Sequence, residues 1–308
     1  MRWAFPIGPC RSDEDKDIMT DTAASAPKVL LITGTSSGIG LASAVAAARA
    51  GFTTVATVRN LDRTEQLRAA AEAAGVALDI RGLDITDAGS IAEAVSGVLD
   101  THGRLDAVVN NAGVGSVGTL ELLTLEQIRA SFEVNFFGFI GVTHAAMPHL
   151  RASGGRLITI GSAYGVVGQP FNEPYCAAKA AVEGYLESLG PVAAEVGVTV
   201  SVIEPGPVSS SFVENIPVDR QAMLANAGPY EPAFQNYLVH IPQMIAGAVQ
   251  TPDEVAETVL FALTDPAPPF RLQTSKFSRE FVADKLVDVD GTAIQSLTRQ
   301  WLSPASIA

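Results

Sequence analysis

"KVLLITGTSSGIG", residues 28–40, begins as an unbroken apolar run, turns through Gly34, Ser36, Ser37 and Gly38, and opens through Ile39 and Gly40 into an alanine-rich stretch. A short run with no polar face reads as a strand buried on both sides, and such strands belong to parallel sheets covered by helices. The same alternation recurs downstream, where "TTVATV", "ALDIRGLDI", "LDAVVNNAG", "GRLITIGS" and "VTVSVIEPG" are separated by longer helical stretches. This rhythm predicts an α/β fold, a doubly wound parallel sheet with helices on both faces.

After Pro205 the rhythm gives way to Pro-containing segments and then to "TPDEVAETVLFAL", residues 251–263, where Thr251 is the expected N-cap and Pro252 the first helical residue. The stretch from 270 to 308 lacks the alternation. No linker or internal repeat divides the chain. The expected organisation is a single domain over 28–308, with 205–250 as a substrate-binding lid and 270–308 as a C-terminal extension.

The 308 residues carry a formal charge of −13, which excludes the clustered basic surface that nucleic acid or an anionic membrane requires. Cys10 and Cys176 are the only cysteines, so no disulfide framework can be drawn, and no metal-ligand spacing occurs among the Cys and His residues. Residues 1–27 have no apolar core of a signal peptide and carry an acidic cluster from Asp13 to Asp17, so they read as a disordered tail. Met19, shortly before the first strand, is an alternative start to Met1. No charge-free apolar run reaches about 18 residues, so a soluble, cytoplasmic protein without a membrane span is expected.

Gly34, Gly38 and Gly40 sit where a strand hands over to a helix. There a diphosphate can meet backbone N–H groups and a helix N-terminus, and glycine permits the close approach. About 20 residues further on, NAD sites usually carry an acid for the ribose hydroxyls. This chain has Arg59 there, with no acid beside it in the sequence. A guanidinium pairs with a 2′-phosphate, so the expected cofactor is NADP(H), with Ser37 as a second phosphate ligand.

Tyr175 and Lys179 are four residues apart in a helical stretch, which puts their Cβ atoms about 6 Å apart on one face. An ordinary phenol, with a pKa of about 10, is ionised about once in a thousand at pH 7. Making the phenolate dominant takes about 4 kcal/mol, and a nearby cation can contribute one to three of the roughly three pKa units required. In the reductive direction Tyr175 would instead give its proton to the substrate oxygen.

"TGTSSGIG" (33–40), "NNAG" (110–113), Ser162, the Tyr175 and Lys179 pair, and Pro205–Gly206 together resemble the short-chain dehydrogenase/reductase family, over a core of about Lys28 to Ser211. The resemblance implies a Rossmann-like sheet of seven strands with an NAD(P) site at their carboxyl ends. It implies that Asn111, Ala112 and Gly113 line the nicotinamide riboside and brace the central strand, that Asp84 contacts the adenine, and that Pro205, Gly206 and Val208 complete the cofactor site. It further implies that Asn135 holds a water in a proton relay, that Ser162 binds the substrate oxygen, and that Lys179 also holds the nicotinamide ribose. Because residue 160 is isoleucine, "GSAYG" is not the elbow of a serine hydrolase, and no motif supplies the histidine base.

"PFNEPYCAAKAAVEGYLESL", "VIEPGPVSSSF", "YLVH" and "RLQTSKF" are similar to the branch of that family holding estradiol 17β-dehydrogenase and photoreceptor-type retinol dehydrogenases. The resemblance implies an elongated apolar alcohol or ketone as substrate, lined by Phe171, Asn172, Val208 and Phe212, with His240 at its far end. Gln169 and Gln300 stand where the steroid enzyme has a leucine and a carboxylate, so estradiol itself is not the expected ligand. The family commonly forms homodimers or homotetramers. Three readings remain: a secondary alcohol/ketone oxidoreductase on a bulky apolar substrate such as a steroid, a retinoid or general carbonyl reductase, and a catalytically silent NADP(H)-binding sensor or scaffold. Retention of Ser162, Tyr175 and Lys179 disfavours the last, which has no need of a proton pathway.

Overall fold

The computed structural model describes residues 26–212, 216, 220–287 and 300. Residues 1–25, the expected tail's greater part, and most of 288–308 lie outside the described residues. Strands β1 (Val29–Ile32), β2 (Thr53–Val58), β3 (Asp79–Gly82), β4 (Ala107–Asn110), β5 (Arg156–Ile160), β6 (Thr199–Glu204) and β7 (Arg271–Gln273) form one parallel sheet in the order β3-β2-β1-β4-β5-β6-β7. The seventh strand opens the segment that had shown no rhythm. It is three residues long, half-buried and at the sheet edge, so its sequence carries little apolar signal.

The helices are α1 (Gly38–Arg49), α2 (Glu65–Ala74), α3 (Ala88–His102), α4 (Leu125–Phe132), α5 (Phe139–Ser153), α6 (Ala163–Val166), α7 (Glu173–Ala194), α8 (Arg220–Ala225), α9 (Glu231–Met244), α10 (Pro252–Thr264) and α11 (Lys276–Val287). The pleat of the buried strands divides the core in two. Val29 and Leu31 of β1 face α3, α5 and α7, whereas Leu30 and Ile32 face α1, α2 and α10. A strand needed by both layers can afford no polar face, which is why the opening run is apolar throughout.

Thr251 caps α10 as expected: its hydroxyl accepts from the Glu254 amide, and the Glu254 carboxylate returns to the Thr251 amide, a capping box behind Pro252 at the first turn. Among the described residues no helix is long and apolar enough to cross a membrane. Between α4 and α5 the chain widens into a π-helical turn, Glu133–Gly138, a local irregularity that often marks a functional site.

Candidate active site

The strand order reverses at β1 and β4, and the crevice at the carboxyl ends of these two strands is where parallel α/β sheets bind ligands. Gly34 has φ +71°, and a Cβ there would stand 2.8 Å from the Ala112 Cα. A Cβ on Gly40 would run into the Gly34 carbonyl and Asn111 Nδ2. Asn111 Nδ2 donates to both the Thr33 and Gly34 carbonyls at 2.9 Å, and Thr33 Oγ1 accepts from the Asn111 and Ala112 amides at 3.0 Å. The glycines therefore let the end of β4 close onto the turn after β1.

Ser37, at the N-cap of α1, makes no side-chain cap, which leaves the helix's first-turn amides available to an anion. Its hydroxyl instead accepts from Ser211 Oγ at 3.1 Å, and a Cβ on Gly38 would meet the Ser210 Cβ at 3.2 Å. The Thr33 brace and the Ser210 and Ser211 contacts were missed by the motif reading, which treats the turn as local. Arg59 follows β2 and is exposed. Hydrogen bonds from the Thr86 hydroxyl and amide hold the Asp84 carboxyl below its usual range, and the charge of Arg59 adds to this. The fold thus brings an acid into electrostatic range of Arg59, although none adjoins it in the sequence.

Ser162 follows β5 and caps α6, its Oγ accepting from the Tyr164 amide at 3.1 Å. Tyr175 lies in the first turn of α7, with Ser162 near enough to favour ionisation of its phenol and its ring 5.8 Å from that of Phe212. One turn on, Lys179 Nζ is 5.9 Å from the Tyr175 ring centroid and donates to the Ile160 carbonyl at 2.7 Å. Both residues are buried.

Burial pushes the Tyr175 phenol up to about 12, outweighing the lowering by Ser162, and draws the Lys179 ammonium down to about 8 against the opposing charge of Glu183. This corrects the sequence argument in one respect. The cation there was expected to bring the phenol down, but both groups leave water together and the ammonium is aimed at the Ile160 carbonyl, so desolvation dominates. At neutral pH the phenol is a proton donor.

Asn135 is buried in the π-helical turn. Its Oδ1 accepts from the Val114 amide at 3.0 Å and its Nδ2 donates to the Val114 carbonyl at 2.9 Å. The amide thus fixes the chain just past Gly113, where an added Cβ would be 2.9 Å from Asn135 Oδ1 and 3.9 Å from Lys179 Nζ.

Beyond Tyr175 the surroundings turn apolar with one polar seam. Gln169 Oε1 accepts from Asn172 Nδ2 at 2.8 Å, and Asn172 Oδ1 accepts from Ser116 Oγ at 3.1 Å. Phe171, between them, is buried at φ +57°, a conformation that costs a non-glycine residue about 1–3 kcal/mol. It is held there by the Gly118 amide on its carbonyl and by the rings of Phe234 and Tyr237 at 4.8 and 5.3 Å. Through this cluster α9, in the 205–250 segment, packs over Val117 and Phe171.

The Pro205 carbonyl accepts from the Ala163 amide, Gly206 packs against Phe277, and Val208 pairs with Gln250 and packs on the α1 side of the sheet. His240 lies half-buried on α9 with Nδ1 engaged by the Asn236 carbonyl at 2.9 Å. Gln300 is exposed. Cys176 is a buried free thiol, with Sγ accepting from the Gln169 amide, and no cluster of metal-binding side chains occurs among the described residues.

Residues 28–221 match the family model described as short chain dehydrogenase. The chain is 38% identical to human (Homo sapiens) 17-beta-hydroxysteroid dehydrogenase type 1 over 272 residues, covering 86% of this chain and 82% of the relative. It is 34% identical to human retinol dehydrogenase 8 over 289 residues, covering 91% of each. Among solved structures, a short-chain dehydrogenase from Streptomyces avermitilis aligns at a TM-score of 0.72 and 30% identity, covering 90% of this chain and 99% of that one. An alcohol dehydrogenase from Thermococcus sibiricus, complexed with 5-hydroxy-NADP, aligns at 0.65 and 27% identity, covering 80% and 95%.

Proposed function

The chain belongs to the short-chain dehydrogenase family, and from that premise we propose that it is an NADP(H)-dependent oxidoreductase interconverting a ketone and a secondary alcohol on a bulky apolar substrate of steroid-like size. The observation that carries the reading is that Ser162, a buried Tyr175 and Lys179 gather at the end of β5 and the start of α7, with Lys179 close to Gly113 in the segment that braces the glycine turn.

The chain's own residues fit a dinucleotide. The uncapped N-terminus of α1 and the side-chain-free cradle of Gly34, Gly38 and Gly40 suit a diphosphate. Arg59 and Ser37 suit a 2′-phosphate, and Asp84 the adenine end. Asn111, Ala112, Gly113, Tyr175, Lys179, Pro205, Gly206 and Val208 would border the nicotinamide half. When bound, the cofactor supplies or accepts hydride.

The chain supplies the rest. Ser162 orients the substrate oxygen, Tyr175 delivers a proton to it in reduction, and Lys179 holds positive charge beneath the ring. A phenol this far from ionising suits the donor role that carbonyl reduction requires. Asn135 holds the turn next to Gly113 and is the proposed relay residue. Gln169, Phe171, Asn172, Phe212 and His240 border the substrate in this reading, with Gln300 as a further contact.

The likeness to retinol dehydrogenase 8, which spans more of the chain than the likeness to the steroid enzyme, keeps a retinoid or general carbonyl substrate as the second reading. A panel of steroid ketones, retinal and small aldehydes, followed by NADPH absorbance at 340 nm, tests both. Turnover of a bulky ketone is expected; reduction of retinal alone would favour the second reading, and reduction of no carbonyl compound would leave the sensor reading standing. Arg59→Asp is expected to weaken NADPH binding by about 100-fold, the scale of losing one charge-assisted pair, with little effect on NADH. Equal losses for the two cofactors would remove Arg59 from the phosphate site.

A further inference from the structure

One turn past Lys179 on α7, Glu183 is 4% exposed, and both its carboxylate oxygens are buried without a hydrogen-bond partner. Glu204, which ends β6, is fully buried. Its Oε2 accepts from Gln273 Nε2 at 2.8 Å, while its Oε1 is buried without such a bond. Arg271 of β7 reaches both acids. Its Nε is 3.4 Å from Glu183 Oε2 and 3.5 Å from Glu204 Oε1, and its Nη2 is 2.9 Å from Glu187 Oε2.

Glu183 also lies against the segment that leads from β5 to Ser162: a Cβ on Gly161 would lie 2.7 Å from Glu183 Oε1. Lys179 donates to the carbonyl of the preceding residue, Ile160. One short segment, Ile160–Gly161–Ser162, is thus held by the lysine and by the acid one turn beyond it.

Two buried carboxylates face one guanidinium, and the other cation near them, the Lys179 ammonium, is itself drawn toward its neutral form by burial, so the charges balance either with the lysine protonated and both acids ionised or with one proton held between the acids. We propose that Glu183 and Glu204 share one proton above Arg271, and that this cluster sets the charge of the Lys179 ammonium, making Glu183 a positioning residue for the proton-handling pair. The inference rests on the reading of Lys179 as a site residue. Its direction agrees with the electrostatics: burial and then Glu204 raise the Glu183 carboxyl well above the usual range, and Glu183 in turn supports the charge of a lysine that burial alone draws down.

Among the described residues the titratable groups near the pair are Tyr175, Cys176 and Glu187 on α7 itself, Glu204 on β6, Arg271 on β7, and the half-buried Tyr164 on α6, whose phenol is raised by burial. Ionised Glu183 stabilises the ammonium, and Glu204 opposes ionisation of Glu183. Two isosteric substitutions should therefore act with opposite signs. Glu183→Gln removes the support and lowers the lysine midpoint; Glu204→Gln lets Glu183 ionise earlier and raises it.

The test is a pH titration of the lysine Cε signals in the full chain labelled with 13C-lysine, Lys179 being assigned by its loss in Lys179→Arg among the five lysines. A wild-type midpoint near 8 is expected, moving down by about one pH unit in E183Q and upward in E204Q. If E183Q does not fold, the upward shift in E204Q carries the sign by itself. Shifts in the same direction, or midpoints that stay put in both variants, overturn the cluster's role. If the lysine moves as expected while the alkaline limb of carbonyl reduction does not follow it, the cluster stands and the assignment of Lys179 to turnover fails.

Discussion

Tyr175→Phe is expected to reduce kcat for carbonyl reduction by about two to three orders of magnitude while leaving NADPH affinity and thermal stability nearly unchanged. That loss corresponds to about 3–4 kcal/mol of transition-state stabilisation, within the range of general acid catalysis. The variant removes only the hydroxyl. The ring keeps its edge contact with Phe212 and its burial, and Ser162 still accepts the Tyr164 amide. A structural role would show as a lowered melting temperature and weaker cofactor binding at similar kcat. Stopped-flow turnover with saturating NADPH separates the two, and undiminished kcat would take Tyr175 out of the chemistry.

Gly40→Ala is the second large effect, and it acts on binding. The added methyl falls on the Gly34 carbonyl and on the Asn111 amide that joins β4 to the turn. Neither partner is a flexible chain end, so α1 must back away from the strand. We expect overpacking of about 1–3 kcal/mol, roughly 2–5 °C in melting temperature, and a loss of about 100-fold or more in dinucleotide affinity as the helix N-terminus moves. Gly184→Ala is the control. It lies on the exposed side of α7, with nothing within 4 Å of the added methyl, so cofactor affinity should not change. Isothermal titration with NADPH on both variants decides the matter; equal affinities would mean that the turn does not carry the diphosphate.

Much of this was legible because burial leaves marks that survive in one dimension. A strand with helices on both sides cannot alternate, so β1 reads off as an apolar run, and the glycines at its end announce a close approach before the approaching group is known. Thr251 and Pro252 declare a helix start by local chemistry alone. What stayed hidden depends on segments far apart in the chain. Glu183 was an ordinary helical acid until β6 and β7 set Glu204 and Arg271 beside it. Arg59 seemed clear of acids until the fold brought up Asp84. The pitch change around Asn135 and the left-handed backbone of Phe171 follow from packing that no spacing rule records.

The edge strand β7 has a consequence for biosynthesis. Arg271 is the cation nearest the two buried acids, and it is encoded 67 positions after Glu204, close to the end of the described chain. A nascent polypeptide that has emerged only through β6 already contains Asn135, Ser162, Tyr175 and Lys179, yet it would bury two carboxyls with no guanidinium between them. Such a fragment is expected to stay loosely packed around Gly161 and to pass to chaperones or proteases, with the centre becoming competent only as the last strand docks.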